Sequence, residues 1–339
     1  MNAHGQSSRR GNFCLSYPEI HLCPNGYAVT PNFFCVTIQI LFRFCWRAGS
    51  KKRQILTCPR WVRFSAPLPK AAITPHSFVL QTRPLQMNDW DRAIGALGAA
   101  RKVVFFTGAG ISAESGIPTF RDKLTGFWEK LDPEKLETAR AFRENPQLVW
   151  GWYLWRRSQA GQAQPNAAHL SISHLASTGI QVSVITQNID DLHERAGSQN
   201  VVHLHGSLIN PICFACKRTA VLTTDQFQVS AEGQWVEPPR CTRCNGKLRP
   251  GVVWFGEDLP SGAWKAALAD VNNCDVLISV GTSGVVRPAA DIPEIASTSG
   301  ATVIHVNTAD VCLGAPNELM LIGSAEQVLP ALLETTHSS

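Results

Sequence analysis

Two pairs of cysteines have the spacing of a metal site. Cys213 and Cys216 form one Cys-x-x-Cys pair, Cys241 and Cys244 form a second, and 24 residues separate the pairs. Two such turns together supply four thiolates, the tetrahedral ligand set of structural zinc. Disulfides are the alternative, but they are uncommon in intracellular enzymes, and a redox Cys-x-x-Cys explains only one pair. We therefore predict a structural zinc module over about residues 207–250, with no ligand position open for catalysis.

A glycine-bearing turn indicates a phosphate site. The apolar run 103–106 predicts a buried strand, and it leads directly into a turn that contains Gly108, Ala109 and Gly110. Without a Cβ, glycine lets backbone N–H groups approach a pyrophosphate closely, although an ordinary strand-to-helix turn can have the same residues. A dehydrogenase would also need a second strand that ends in an acidic residue about 20 positions later. No apolar β-type run occupies that interval, so hydride transfer is disfavoured.

Amide and carboxyl side chains follow a second predicted strand, 182–186. Gln187, Asn188 and Asp190 come at its carboxyl end, which is where open parallel sheets bind ligands. These groups can hydrogen-bond a carboxamide such as that of nicotinamide. Capping of the next helix by Asn188 or Asp190 explains the same residues equally well.

Two histidines come next, His203 and His205, and Gly206 follows at once. Residues two apart on a strand share a face, but the glycine leaves the backbone open beside His205 in particular. An imidazole near a cofactor turn is suited to general-base catalysis, whereas many lone histidines have structural roles. We predict that His205 is the base.

Two later segments predict binding surfaces. An extended apolar run that reaches a glycine is suited to pairing with an extended peptide, and it contains Val252, Val253, Phe255 and Gly256. The predicted strand 276–280 ends in a turn of glycine and hydroxyl residues. This turn can contact a phosphate or a ribose, or it can be a plain strand-end turn; its residues are Gly281, Thr282 and Ser283.

Strands and helices alternate along the part of the chain that holds these residues. Helical stretches separate four apolar β-type runs, at 103–106, 182–186, 276–280 and 302–306. This alternation predicts an α/β fold, a parallel sheet with helices on both faces, interrupted by the zinc module. The most apolar run of the chain, 32–46, is too short to span a bilayer, so no membrane contact is expected.

The charge differs between the two ends of the chain. Residues 1–86 hold 11 of the 31 Lys and Arg residues and one of the 26 acids, so residues 87–339 carry 20 basic and 25 acidic residues. The acidic balance of the second part gives no reason to expect nucleic-acid binding. Residues 1–86 are Arg-rich and acid-poor like a transit peptide, but their five cysteines do not suit one. We expect translation to begin at Met87 and residues 1–86 to be disordered or non-native.

The motifs together resemble a known family. GAGISAESGIPTFR at 108–121, TQNIDDLH at 186–193, the cysteine pairs, VVWFGE at 252–257, GTSG at 281–284 and VIHVN at 303–307 occur in the order typical of sirtuins. The chain resembles these NAD-dependent protein-lysine deacylases, in a bacterial-like form, over about residues 88–333. The resemblance implies a sirtuin catalytic domain over 87–339, with a Rossmann-type large domain, a small zinc-binding domain, and a cleft where NAD meets an acyl-lysine peptide.

The resemblance also implies roles for single residues. His205 would be the base, and the peptide would lie along Val252 to Gly256. The acyl-lysine amide oxygen would attack the anomeric carbon of the nicotinamide ribose, giving free lysine, nicotinamide and O-acyl-ADP-ribose. The cofactor contacts would be Gly108, Ala109, Gly110, Arg121, Gln187, Asn188, Asp190, Gly281, Thr282, Ser283 and Asn307.

The subclass depends on fewer residues. Tyr153 and Arg156 are three apart in a predicted helix and share a face. They resemble the Tyr-x-x-Arg of class III sirtuins, which remove succinyl, malonyl and glutaryl groups, and a guanidinium and a phenol can bind the acyl carboxylate. Ala113, small as in that class, would leave room for the longer chain. The alternative is an amphipathic helix with Tyr153 in the core and Arg156 on the surface.

Other functions stay open at this level. They are an NAD oxidoreductase, a mono-ADP-ribosyltransferase, a deacetylase without preference for acidic acyl groups, and an adaptor that binds a partner through the zinc module. We expect succinyl and malonyl removal with acetyl activity retained. The expected partners are acylated-lysine proteins or peptides, and we expect a cytoplasmic monomer.

Overall fold

The computed structural model describes residues 88–119, 132–223, 226 and 235–335. The N-terminal extension predicted over residues 1–86 lies outside the described residues, and so does Arg121. Among the helices that are described, none combines the length and the apolarity needed to cross a lipid bilayer.

Eight strands form two sheets in the described part of the chain. They are β1 (Lys102–Thr107), β2 (Gln181–Thr186), β3 (Val201–His203), β4 (Gly206–Cys213), β5 (Leu248–Val252), β6 (Val276–Val280), β7 (Thr302–Asn307) and β8 (Glu318–Ile322). Six of them form a sheet in the order β3-β2-β1-β6-β7-β8, in which every neighbouring pair is parallel. The other two, β4 and β5, pair antiparallel. The predicted parallel sheet is confirmed, and the four apolar runs are β1, β2, β6 and β7.

Helices cover both faces of the large sheet, as predicted. Along β1, Val103 and Phe105 point into one buried cluster, whereas Val104 and Phe106 point into another. Because both faces are buried, β1 is continuously apolar over residues 103–106 instead of alternating with polar residues. The helices of the described residues are α1 (Asp89–Ala99), α2 (Pro133–Leu136), α3 (Ala139–Glu144), α4 (Pro146–Gln162), α5 (Ala167–Ser177), α6 (Leu192–Arg195), α7 (Ser261–Val271), α8 (Ile292–Thr298) and α9 (Ala325–Thr335).

The order of the sheet fixes where a ligand can bind. Helices α1, α5 and α9 contribute to the first cluster, and α7 and α8 contribute to the second. The strand order reverses between β1 and β6, which lie side by side. In open parallel sheets a crevice forms outside the carboxyl ends of the strands at this reversal. The turns after β1 and β6 therefore flank the expected site.

Helix α4 lies between two further clusters. Trp152 and Tyr153 belong to a cluster that includes Trp254, while Trp150 and Leu154 belong to the cluster around the cysteines. The helix is therefore buried on more than one side, and Tyr153 lies in the core, as in the alternative interpretation of this helix. Its packing connects the small β4–β5 sheet and the zinc module to the crevice.

Candidate functional site

Two turns at the strand reversal pack backbone against backbone. The N–H of Gly110, after β1, donates to the carbonyl of Gly281, after β6, at 3.0 Å. A Cβ on Gly110 would lie 2.6 Å from the Cα of Gly281, and one on Gly108 would lie 2.8 Å from the Gly281 carbonyl oxygen. Gly281 also has a φ of +59°, which favours glycine. The turn needs glycine at these positions because a second loop crosses it, a reason that the sequence did not reveal.

A buried hydrogen-bond network joins the predicted amide and carboxyl residues to this turn. The Asn188 Nδ2 donates to the Gly108 carbonyl and to Ser112 Oγ, each at 3.1 Å. Ser112 Oγ donates to Asp190 Oδ2 at 3.2 Å, and the other Asp190 oxygen accepts the N–H of Leu192 at 3.2 Å. Asp190 thus joins the turn to the first residue of α6, and burial raises the pKa of its carboxyl. The sequence did not identify Ser112 as a site residue, although it lies only two positions after Gly110.

A second missed residue, Asn166, fixes the far side of the same turn. Its Nδ2 donates to the Ile111 carbonyl at 2.8 Å and to Ser115 Oγ at 3.0 Å. Its Oδ1 accepts the N–H of Ala168 and so caps α5. An asparagine just before a helical run is an N-cap signal, so the capping role was predictable from the sequence and the contact with the turn was not.

The turn after β6 approaches the end of β7. The Gly281 N–H donates to the Val306 carbonyl at 2.9 Å, and Asn307 Nδ2 donates to the Thr282 carbonyl at 2.8 Å. Gly281, Thr282 and Asn307 are thereby brought together, as predicted. Ser283 lies on the same turn and is exposed.

The two histidines have opposite environments. His205 Nδ1 contacts the Gln187 carbonyl oxygen at 2.9 Å; since a carbonyl only accepts, Nδ1 carries the proton and Nε2 keeps the lone pair. Burial lowers the pKa of His205, which keeps it neutral. His203 contacts the Asn188 carbonyl and, at 2.6 Å, Glu194. Burial alone would lower its pKa, but Glu194 and the Asn188 carbonyl raise it. Only His205 therefore suits a base.

Packing requires a glycine at the position after His205. Gly206 has a φ of +76°, and a Cβ there would lie 2.1 Å from the Gly251 carbonyl oxygen. The space that the sequence left open beside His205 is therefore filled by β5. The segment after β5 is held in place, because Val253 donates its N–H to the His205 carbonyl at 2.8 Å and Phe255 donates to the Glu137 carbonyl at 2.9 Å.

The predicted peptide segment is only partly a strand. Of its residues, Val252 ends β5, while Val253 lies beyond the strand. Gly256 has a φ of +83° at the turn that follows, and the Phe255 side chain is 43% exposed. The N–H groups of Val253 and Phe255 are used within the chain and are therefore not free to pair with a peptide.

One cavity brings together the predicted base, some of the predicted cofactor contacts and most of the predicted substrate contacts. It reaches from the cofactor turn, through His205, to the segment after β5 and to Arg156 of α4. Tyr153 is 3% exposed in the core, and Ala113 lies on an exposed turn, so neither is placed on the cavity wall. The lining residues include Ala109, Ser112, Glu137, Arg156, Gln187, Asn188, Asp190, His205, Val252, Val253, Phe255, Gly256 and Arg287.

The end of the cavity at α4 is built from charged and aromatic side chains. The Arg156 guanidinium lies 5.7 Å from the centroid of the Trp152 ring. Trp152 Nε1 is 3.4 Å from Glu137 Oε1, a long hydrogen bond, and Trp254 Nε1 donates to the Tyr153 hydroxyl at 3.0 Å. Burial raises the pKa of Tyr153 well above its usual value, so the phenol keeps its proton. Glu137 was missed because it follows a short helix with no motif around it.

The cysteine sulfurs come together as predicted. All four lie within 4.8 Å of one another, and the sulfurs of Cys213 and Cys244 are 3.4 Å apart, those of Cys216 and Cys241 3.9 Å. Ligands at about 2.3 Å from a tetrahedral zinc lie about 3.8 Å apart, so these distances fit the ion. The group is a structural zinc site.

Both cysteine turns have the same backbone geometry. Lys217 and Asn245 follow the two pairs with φ of 61° and 59°, and the N–H of each donates to the carbonyl of the first cysteine of its pair. The sulfurs pack in the cluster that contains Trp150 and Leu154 of α4. The zinc module therefore supports the helix that carries Arg156.

Similarity to known proteins agrees with this geometry. The sequence profile of the Sir2 family matches residues 108–288. An NAD-dependent protein deacylase of Pseudomonas putida is 65% identical over 250 residues, which cover 74% of this chain and 95% of that protein. A crystal structure of a Sir2 homolog–NAD complex is 40% identical, covers 73% of this chain and 94% of that chain, and has a TM-score of 0.66.

The chain is also similar to a solved complex of a Sir2 variant with a deacetylated p53 peptide and 3′-O-acetyl ADP-ribose. The two sequences are 30% identical, the match covers 74% of this chain and 98% of that chain, and the TM-score is 0.61. The fold is shared with these solved structures, and the four-cysteine cluster agrees with the prediction from the sequence. NAD and one structural zinc are the cofactors. The chain therefore belongs to the Sir2 family and is an NAD-dependent protein deacylase.

Proposed function

We propose that this deacylase removes succinyl and malonyl groups from lysine, and acetyl groups as well. The observation that supports the acidic-acyl part is the position of Arg156, which lines the same cavity as His205. An acyl chain that starts at His205 and ends in a carboxylate can meet a guanidinium there. A guanidinium binds a carboxylate with two parallel hydrogen bonds, and these are stronger than hydrogen bonds between neutral groups.

The cofactor turns are suited to the two halves of NAD. Gly108, Ala109 and Gly110 would face the pyrophosphate, and Gly281, Thr282, Ser283 and Asn307 would face the adenosine. Gln187, Asn188 and Asp190 would contact the nicotinamide and its ribose, with Arg121 closing over them. When bound, NAD supplies the electrophilic ribose carbon and nicotinamide as leaving group. The residues of the chain then supply orientation and electrostatics.

His205 would remove a proton from a ribose hydroxyl. The Gln187 carbonyl fixes the ring by accepting from Nδ1, which leaves Nε2 as the atom that receives the proton. The lowered pKa keeps Nε2 unprotonated near neutral pH. Proton transfer by a positioned base contributes about 10²- to 10⁴-fold to a rate.

The acyl-lysine peptide would lie along Val252, Val253, Phe255 and Gly256. A relative of this chain was solved with a deacetylated p53 peptide, which supports a peptide partner here. Tyr153 is the second residue of the proposed carboxylate clamp: its oxygen accepts from Trp254, and its buried hydroxyl would have to turn from the core toward the cavity to donate to the acyl carboxylate. Ala113 would keep the entrance to the acyl chain free of bulk.

The test compares succinyl-lysine and acetyl-lysine forms of one peptide, following nicotinamide release and peptide mass. We expect turnover of both, and we expect Arg156→Met to lower kcat/KM for the succinyl peptide about tenfold to a hundredfold, because a bidentate charge-assisted contact is lost. Acetyl turnover should stay within about threefold. Arg140→Met is the matched control, since Arg140 lies on exposed α3 and pairs with Glu144. Equal losses on both peptides would remove the acidic-acyl assignment and keep the deacylase.

A further inference from the structure

Glu137 places a carboxyl group in the end of the cavity that is assigned to the acyl chain. It lines the cavity together with Arg156, and it is only 7% exposed. Burial raises the pKa of its carboxyl, while the positive charge of Arg156 lowers that pKa. Both groups also contact the same residue, since Trp152 Nε1 lies 3.4 Å from Glu137 Oε1 and the Arg156 guanidinium lies 5.7 Å from the centroid of the Trp152 ring.

The backbone holds Glu137 beside the peptide segment. Its carbonyl accepts the N–H of Phe255 at 2.9 Å, and Thr138 forms an isolated parallel bridge with Phe255. The side chain is further oriented by Trp152, whose Nε1 lies 3.4 Å from Glu137 Oε1. The carboxyl group is thus part of the pocket wall and not a residue of a distant loop.

The other charged groups that line the cavity have partners of their own. Glu257 pairs with the buried Arg249, and Arg287 pairs with Asp291. Asp190 lies at the cofactor end, where it accepts from Ser112. Among the described residues that line the cavity, Arg156 and Glu137 are the charged groups that contact Trp152.

We propose that Glu137 is a specificity-determining residue that competes with the carboxylate of an acidic acyl group for Arg156. The proposal rests on the acidic-acyl assignment made above for the same pocket. A succinyl chain would bring a second carboxylate to one guanidinium in a partly dry site. Like charges at close range oppose each other most strongly where water is excluded. An acetyl group adds no charge and leaves Arg156 and Glu137 to balance each other.

Removing the charge of Glu137 should therefore shift selectivity toward acidic acyl groups. In Glu137→Gln, the ratio of kcat/KM for the succinyl peptide to kcat/KM for the acetyl peptide should rise at least tenfold. Gln has the same shape, and its amide oxygen can still accept from Trp152. Glu137→Ala should raise the ratio in the same direction, which covers the case in which the amide itself disturbs the pocket.

A neutral substrate separates charge from size. The peptide in which the succinyl carboxylate is replaced by its amide has the same length and no charge. Its kcat/KM relative to acetyl should change less than threefold in Glu137→Gln. Glu144→Gln is the matched control, because Glu144 is an exposed carboxylate on the neighbouring α3 and should leave every ratio unchanged.

The outcomes distinguish this inference from the proposed function. An unchanged or lower succinyl ratio in both Glu137 variants, with melting temperatures within a few degrees of the wild type, would overturn the inference. If Arg156→Met still lowers succinyl turnover selectively in that case, the acidic-acyl assignment survives. A gain in Glu137→Gln that disappears in Glu137→Gln/Arg156→Met would show that the effect runs through Arg156.

Discussion

The two ends of the cavity are built in different ways. At the cofactor end, the turns after β1 and β6 meet through backbone atoms, and the Gly110 N–H donates to Gly281 at 3.0 Å. At the acyl end, the walls are side chains: Arg156 lies over Trp152, and Glu137 faces the same space. One end is defined by the absence of Cβ atoms and the other by the charge of long side chains.

Because of this difference, the two ends tolerate different kinds of substitution. A methyl group at the cofactor end meets main-chain atoms of a second loop, which cannot move without shifting β1 or β6. A substitution at the acyl end changes the charge or the length of a side chain and leaves the main chain in place. We therefore expect changes at the first end to affect cofactor binding as a whole, and changes at the second to affect which acyl group reacts.

The largest effect is expected at the junction of the two ends. His205→Ala removes the base, and kcat should fall about 10²- to 10⁴-fold. NAD binding, zinc content and melting temperature should stay close to the wild type, because the ring makes a single hydrogen bond to the Gln187 carbonyl. Steady-state kinetics and zinc analysis check this. His203→Ala is the contrasting variant; a loss of kcat as large as that of His205→Ala would contradict the assignment of the base.

The pH profile gives a second measure of His205. The neutral ring is the active form, and burial lowers its pKa below the ordinary value of about 6.5. Activity should therefore be present above that lowered pKa and be lost as the pH falls through it. The acid limb of kcat/KM should lie below pH 6.5, where an exposed histidine would titrate. A limb above pH 7 would indicate a different base.

The next largest effect is expected on NAD binding, from a substitution in the turn after β1. In Gly110→Ala the new Cβ would lie 2.6 Å from the Gly281 Cα, so the loops must separate. The Kd for NAD should rise about a hundredfold or more, a loss of about 3 kcal/mol, with both acyl peptides equally affected. Calorimetry with NAD and kinetics at saturating peptide check this.

Gly98→Ala is the control for that variant. Gly98 lies in α1 with nothing within 4 Å of the added Cβ, and alanine in a helix is favoured by about 0.5–1 kcal/mol. It should leave the Kd unchanged and raise stability slightly. A Gly110→Ala variant with the NAD affinity of the wild type would show that the two loops do not need their close contact.

The cofactor end is also the part that the sequence predicts best. Continuous apolar runs predicted β1, β2, β6 and β7, because strands buried on both faces have no polar alternation. The short β3 has three residues and no such run, so these runs did not predict it. Gly108, Gly110 and Gly281 were predicted from their types and order. The reason for them is a tertiary contact that the sequence does not show, between Gly110 and Gly281, which are 171 positions apart.

The acyl end was less predictable because its contacts join distant and unpatterned residues. Tyr153 and Arg156 were found from their spacing, but the spacing did not show that Tyr153 is buried against Trp254 while Arg156 reaches the cavity. Glu137 belongs to no sequence motif. It is held at the pocket by the hydrogen bond that its backbone carbonyl accepts from the N–H of Phe255. The cysteine pairs were the exception, since their spacing alone specifies a tetrahedral site.

The smallest of the expected effects concerns the support of the peptide segment. Arg249 is 1% exposed, it forms two hydrogen bonds with Glu257 at 2.5 and 2.9 Å, and its guanidinium lies 3.3 Å from the centroid of the Trp254 ring. It also donates to the Val252 carbonyl at 2.5 Å. A single buried cation thus stabilises the turn that carries the residues proposed to bind the peptide.

Arg249→Met should therefore destabilise the acyl end and leave the cofactor end intact. Breaking a buried pair costs about 3–5 kcal/mol, but the Glu257 side chain is 27% exposed and can reach water, so we expect about 2 kcal/mol. The melting temperature should fall by about 4–8 °C, and KM for the peptide should rise while the Kd for NAD does not. Arg249→Met/Glu257→Gln should recover part of the loss, because no unpaired carboxylate remains. If NAD affinity fell as much as peptide affinity, the two ends would be one cooperative unit and the contrast between them would not hold.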